Sequence, residues 1–180
     1  MKNIKLTNLK ITLLSVFFMA VSVSCERPLS EEAVFATNAT TGEVFTESPV
    51  GLGSDFYFPF FGSKATAWSV DNTEGYESNT SMRFDVPNAD DIEGDFGGAI
   101  FRIDGAGRDL TGYDALTFWA KASRGVVIGE FGFGQDFFDN KYKVTKFGTS
   151  LSTNWQKYII PIPDASKLVE ERGLFWYSAG

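Results

Sequence analysis

The chain has 180 residues, with 23 acids against 16 bases for a net charge of −7, and no histidine. An acidic chain repels polyphosphate backbones and anionic lipid surfaces, which excludes nucleic acid as a partner. Without histidine there is no Ser–His or Cys–His nucleophile and no imidazole metal site. Aromatic residues make up 16% of the chain and 18 residues are phenylalanine, enough for a large core with aromatic surface to spare.

Lys2, Lys5 and Lys10 precede an apolar run from Ile11 to Ser24. That run is shorter than the roughly 20 residues a bilayer span needs. A basic head, a short apolar stretch and small residues at its end predict a secretory signal peptide over residues 1–24. Cys25 follows at the expected cleavage point and is the only cysteine, so no disulfide forms within the chain. Val23-Ser24-Cys25 resembles the lipobox of bacterial lipoproteins, with Ser22 where a larger aliphatic residue is usual. The resemblance implies a lipid on Cys25 as the membrane attachment. Glu26, Glu31 and Glu32 then resemble a surface-export signal, which implies a cell-surface place on an outer membrane. Residues 25–45, rich in Ser, Thr, Ala, Asn and Glu, read as a flexible tether.

From residue 46 onward the pattern changes to short β-like runs separated by turn residues, the mark of a β-sandwich or barrel. Ala65–Val70 is the first run, ended by Asp71-Asn72-Thr73-Glu74-Gly75. Ser81–Val86 alternates, with Met82, Phe84 and Val86 on one face and Arg83 and Asp85 on the other, until Pro87 stops it. Gly98–Ile103 places Phe101 and Ile103 opposite Arg102 and Asp104. In Ala115–Lys121, Leu116, Phe118 and Ala120 share one face, and Thr117, Trp119 and Lys121 the other. Gly125–Phe133, Lys141–Phe147 and Trp155–Ile162 are further strands. Ser166–Arg172 has helical character, and Gly173–Tyr177 is the last strand. The abrupt apolar end at Ser178-Ala179-Gly180 leads to the expectation of an unpaired edge, with a closing strand missing beyond it.

Three stretches carry a family resemblance. They are Trp68-Ser69-Val70-Asp71 through Gly75-Tyr76-Glu77 to Ser81-Met82-Arg83-Phe84, then Asp109–Ala122, then Leu151–Ile160 with Thr153-Asn154-Trp155-Gln156-Lys157-Tyr158. In this order they resemble the galactose-binding-like jelly-roll carbohydrate-binding modules of surface glycan-binding lipoproteins. The resemblance implies an all-β jelly-roll sandwich over residues 46–180, a polysaccharide or oligosaccharide as partner, and no catalysis. It also implies a structural calcium in many members. Asp55 could be its early ligand, but the strand that supplies the mate is absent, so no metal or cofactor is assigned.

A sugar presents apolar C–H faces and a rim of hydroxyls, so a binder needs flat aromatics beside carboxylates and guanidinium groups. Trp119 is the first candidate platform, with Tyr76 and Trp176 near loops or the chain end. Arg83, Asp85 and Arg102 would serve hydroxyls on the same sheet face. Trp155 reads as a core residue, and Phe133–Asn140 as a groove lip or a hydrophobic turn. Non-catalytic polysaccharide binding, of the β-glucan type by analogy, is the expected function. The alternatives are the leading module of a longer glycoside hydrolase, and a structural or adhesin spacer.

Overall fold

The computed structural model describes residues 39–137 and 142–180. The expected signal peptide, Cys25 and the part of the expected tether before residue 39 therefore lie outside the described residues. Nine strands are described: β1 (Tyr57–Pro59), β2 (Trp68–Asp71), β3 (Ser81–Phe84), β4 (Gly97–Arg102), β5 (Ala115–Ala120), β6 (Val126–Phe133), β7 (Val144–Leu151), β8 (Gln156–Pro161) and β9 (Gly173–Ala179). Five form an antiparallel sheet in the order β1-β4-β9-β6-β7, and β2-β3 and β5-β8 form two antiparallel pairs.

The core lies between the five-stranded sheet and the two pairs, because every strand turns one alternating set of side chains inward. The large sheet contributes Ala99, Phe101, Ile128, Phe131, Leu151, Phe175, Tyr177 and Ala179, all buried. The pairs contribute Trp68, Met82, Phe84, Leu116, Phe118, Ala120, Tyr158 and Ile160. Phe84 meets Tyr177 at 4.4 Å between ring centres, and Phe118 meets Phe131 at 5.4 Å and Phe175 at 5.8 Å. Each such pair adds about 0.5–1.5 kcal/mol beyond the area it buries. The core thus takes up part of the phenylalanine content, while Phe61, Phe137 and Phe147 stay exposed. A second cluster of Leu52, Leu110, Phe133, Ile162, Leu168 and Leu174 closes one end. The architecture is the expected β-sandwich.

Several details differ from the sequence reading. β1 was not anticipated, since Tyr57–Pro59 is short and carries a proline; it stands at the edge of its sheet, where proline is tolerated. The helix expected over Ser166–Arg172 shrinks to a 3-10 turn at Ala165–Lys167. Beyond it Glu171 is drawn into an extended bridge, with Arg108 N donating to Glu171 O and Glu171 N to Arg108 O, both at 2.9 Å. The last strand is no unpaired edge: β9 lies in the middle of the sheet, bonded to β4 on one side and β6 on the other. Residues 39–45, expected to belong to the tether, are held against the sandwich. Val44 packs on both clusters, Gly42 N donates to the Tyr113 hydroxyl at 2.9 Å, and that hydroxyl donates to Thr40 O at 3.1 Å.

Candidate functional site

Strand β5 fixes the first part of the site. With Leu116 and Phe118 packed into the core, alternation sends Thr117 and Trp119 out, and Trp119 keeps 39% of its surface exposed. The loop between β2 and β3 then folds over so that the Tyr76 ring lies flat on Trp119, 3.7 Å between centres and 9° between planes. Trp155 stands edge-on to Tyr76 at 6.3 Å. Lys121 sits over the Trp155 ring at 5.6 Å and is ion-paired with Glu74. Three aromatic rings and one charged pair therefore gather from three separate parts of the chain.

The loop carries a backbone irregularity. Glu77 has φ +54, the left-handed region, and is the one non-glycine residue there among the described residues. Such a residue costs on the order of 1–3 kcal/mol and persists where its surroundings demand it. The phenol of Tyr76 is pushed above its usual range, first by burial and then by the Glu77 carboxylate it hydrogen-bonds. Stack and carboxylate hold Tyr76 before any ligand arrives, so little ordering entropy remains to be lost on binding.

Sequence reasoning named Tyr76 and Trp119 as separate candidates and set Lys121 on the Trp119 face; that the two rings stack is seen only in the structure. It misplaced Trp155 as core. In β8 the core takes Tyr158 and Ile160, so alternation puts Trp155 on the outer set with Lys157 and Ile159. Glu74 carried no signal beyond its place in a turn.

Arg83 and Asp85 point outward from the β2-β3 pair and serve each other, with Arg83 Nε and Nη2 both donating to Asp85 Oδ1 at 2.9 Å. Both side chains are more than half exposed, so the pair is worth little in stability.

Arg102 does not share a face with Trp119. It belongs to β4 in the five-stranded sheet and is buried, because Phe101 takes the inward position and the adjoining loop closes over the outward one. Its Nε donates to Asp136 Oδ1 at 2.8 Å and its Nη2 to Asp136 Oδ2 at 3.2 Å. The guanidinium lies between the rings of Phe58 and Phe137, 5.5 and 5.3 Å from their centres. Burial works against the Asp136 carboxylate, but the Arg102 hydrogen bond and the Phe137 backbone N–H outweigh it and hold Asp136 below the usual carboxylate range.

Trp176 also differs from expectation. It is 2% exposed, on the outer face of the same sheet as Arg102. Of the loop Phe133–Asn140, Asp136 and Phe137 take part in this arrangement, while Phe138–Asn140 lie outside the described residues.

No cluster of acids and cysteines suited to a metal ion occurs among the described residues. A small apolar cavity of about 30 Å³ beneath Gly42, Leu110 and Phe133 has room for a water, not a sugar ring. No curated protein and no solved structure matches the chain. The family described as Carbohydrate binding domain 30 matches residues 44–171, from the docked segment at Val44 through eight of the nine strands to the bridge at Glu171. An acidic, histidine-free β-sandwich with a prestacked aromatic pair on one outer face thus belongs to that family of carbohydrate-binding modules.

Proposed function

We propose that the module holds a neutral polysaccharide of the β-glucan type against Tyr76, Trp119 and Trp155, from a lipid anchor on Cys25 at the outer cell surface. The observation that carries the reading is the face-to-face Tyr76–Trp119 stack with Trp155 beside it. A β-linked glucose ring keeps its hydroxyls equatorial and its C–H faces apolar, the shape a flat aromatic surface accepts. Lys121 and Glu74 stand next to the rings to meet the hydroxyl rim. The net charge of −7 favours a neutral chain over an acidic one. The module itself is non-catalytic. Affinity gel electrophoresis across mixed-linkage β-glucan, xylan, galactomannan and pectin tests the reading. Retardation by the β-glucan and not by pectin is the expected result. Free migration in every gel would favour the spacer role.

Glu77 offers a check on the loop. Glu77→Gly removes the left-handed strain and also the partner of the Tyr76 phenol. Its melting temperature should equal or slightly exceed that of the native chain, since relief of strain offsets the larger backbone freedom of glycine. Its retardation by β-glucan should weaken severalfold. Unchanged retardation would remove Glu77 from the site.

The anchor is tested separately. Cys25→Ala should move the protein from the membrane fraction to the soluble one and abolish labelling by radioactive palmitate. Membrane retention of this variant would overturn the lipoprotein reading.

A further inference from the structure

We propose that the chain docks head to tail on a second copy of itself. The apolar tips Phe61 and Ile92 of one copy seat beside Ile159 of the next, where Lys146 and Lys157 meet the carboxylates that surround the tips. The docking does not depend on what the Trp119 platform binds.

Phe61 and Ile92 are both fully exposed. Each stands at the first corner of a β-turn. Ser63 N donates to Phe60 O at 2.9 Å across the one, and Gly94 N to Asp91 O at 3.2 Å across the other. Such corners ordinarily take proline or small polar residues, so the turns themselves do not call for a phenyl ring or a branched aliphatic chain. The two turns are locked together. Lys64 N donates to Phe96 O at 2.9 Å, and the Lys64 ammonium bridges Asp91 and Glu93 at 2.7 and 3.1 Å. Gly94 lies so close to the backbone of Ser63 and Lys64 that a Cβ there would collide with it. Two apolar side chains are therefore held out on a rigid base, with little ordering left to lose on docking.

The charge around them is negative. Asp90, Asp91, Glu93 and Asp95 flank Ile92, against Lys64 alone. An anionic lipid surface repels such a tip, and a fitting partner offers apolar surface edged with bases. The chain carries such a surface. In β8 the buried Tyr158 and Ile160 alternate with Lys157 and Ile159, which turn outward, and Ile159 is 48% exposed. Lys146 reaches across from β7, its ammonium donating to Ile159 O at 3.5 Å. Neither lysine has a carboxylate partner among the described residues, unlike Lys64, Lys121 and Lys167. At physiological salt charges act over about 8 Å, so this local match outweighs the repulsion between two chains of net charge −7. Tip and seat are different surfaces. Each docked copy thus leaves one of each free, and the contact builds an open row rather than a closed dimer. The area is small, so the dissociation constant should lie at about 0.1–1 mM. The seat adjoins Trp119, the cross-strand neighbour of Lys157, so a docked copy and a ligand on that platform compete.

Sedimentation velocity of the full chain, from about 10 μM to about 1 mM, spans that range. Phe61→Ser with Ile92→Ser removes the tip, and Lys146→Glu with Lys157→Glu inverts the seat. All four side chains are exposed, so both variants should keep the native melting temperature. If either pair of changes lowers it, Ile92→Ser and Lys157→Glu alone carry the same test. The native chain should grow past the dimer, and about 0.5 M NaCl should weaken its association severalfold. Each variant alone should stay monomeric, while an equimolar mixture of the two should form pairs and nothing larger, because one supplies the tip and the other the seat. A native chain still monomeric at the highest concentration would overturn the proposal. So would association that the tip variant retains, or a mixture that fails to pair. Native chain that stays single but is held by phosphatidylcholine vesicles, and released from them by loss of the tip, would make the tip a lipid contact instead.

Discussion

Arg108→Met should lower the stability of the sandwich by about 3–5 kcal/mol, the loss expected when one partner of a buried polar network is removed. Arg108 is 1% exposed, and burial lowers the pKa of its guanidinium. Its Nη1 donates to the carbonyls of Thr41 and Glu43 at 3.1 and 2.6 Å, and its Nη2 donates to the carbonyl of Val50. Asp109 N adds a bond to Ala39 O at 2.9 Å. One side chain thus pins the segment 39–50 to the isolated bridge that Arg108 makes with Glu171. Methionine keeps most of the apolar stem, so the loss reads out the three stranded carbonyls rather than a cavity. The melting temperature should fall by roughly 10 °C or more. Limited proteolysis should cut the variant between residues 39 and 50 first, while the native chain resists. A fall of less than about 2 °C with an unchanged cleavage pattern would show that the segment is held by Val44 and Tyr113 instead.

Trp119→Ala should weaken retardation by β-glucan at least tenfold, since the loss of an aromatic face from a sugar contact is worth about 1.5–3 kcal/mol. It should cost little stability, because Trp119 is 39% exposed and gives up mainly its stack with Tyr76. Phe118→Ala, one residue earlier on the same strand, is the matched control. Phe118 stacks on Tyr158 at 5.7 Å and meets Phe131 and Phe175 edge-on in the core. It should lose about 3–5 kcal/mol of stability. Whatever folded fraction remains should bind normally. If both variants lose stability equally, Trp119 is a packing residue and the platform lies elsewhere.

The strands were legible where alternation was strong. Ala115–Lys121 predicted β5 and both its faces, because one set of side chains is uniformly apolar and the other is not. The layering of sheets was not legible. Arg83 and Arg102 look alike in sequence, each flanked by apolar residues on a strand, yet one lies on the surface of a two-stranded pair and the other is buried in the large sheet. Only strand order separates them, and strand order depends on long-range pairing such as Ile100 with Trp176. Tyr76 could be placed near a loop from its glycine and acidic neighbours. Its stacking on Trp119 is followed at once by a left-handed Glu77, a conformation that sequence propensity argues against. The helix expected over Ser166–Arg172 failed for a related reason. The local composition was helical, but two hydrogen bonds exchanged with Arg108, more than sixty residues earlier, took the backbone of Glu171 instead.

The central place of β9 bears on how the chain is made. It is the last of the described strands to leave the ribosome, yet both halves of the large sheet close upon it. Until it emerges, β1 with β4 and β6 with β7 are separate two-stranded ribbons, which are marginal alone in water. Synthesis adds about 5–20 residues per second, so the nascent chain waits several seconds with Phe101, Phe131 and their neighbours uncovered. Folding is then a late event that spans most of the chain, and slow for that reason. A chain of this order stays open until β9 has emerged. Until β9 pairs, the aromatic strands stay open to aggregation and need the cover that a holding chaperone gives.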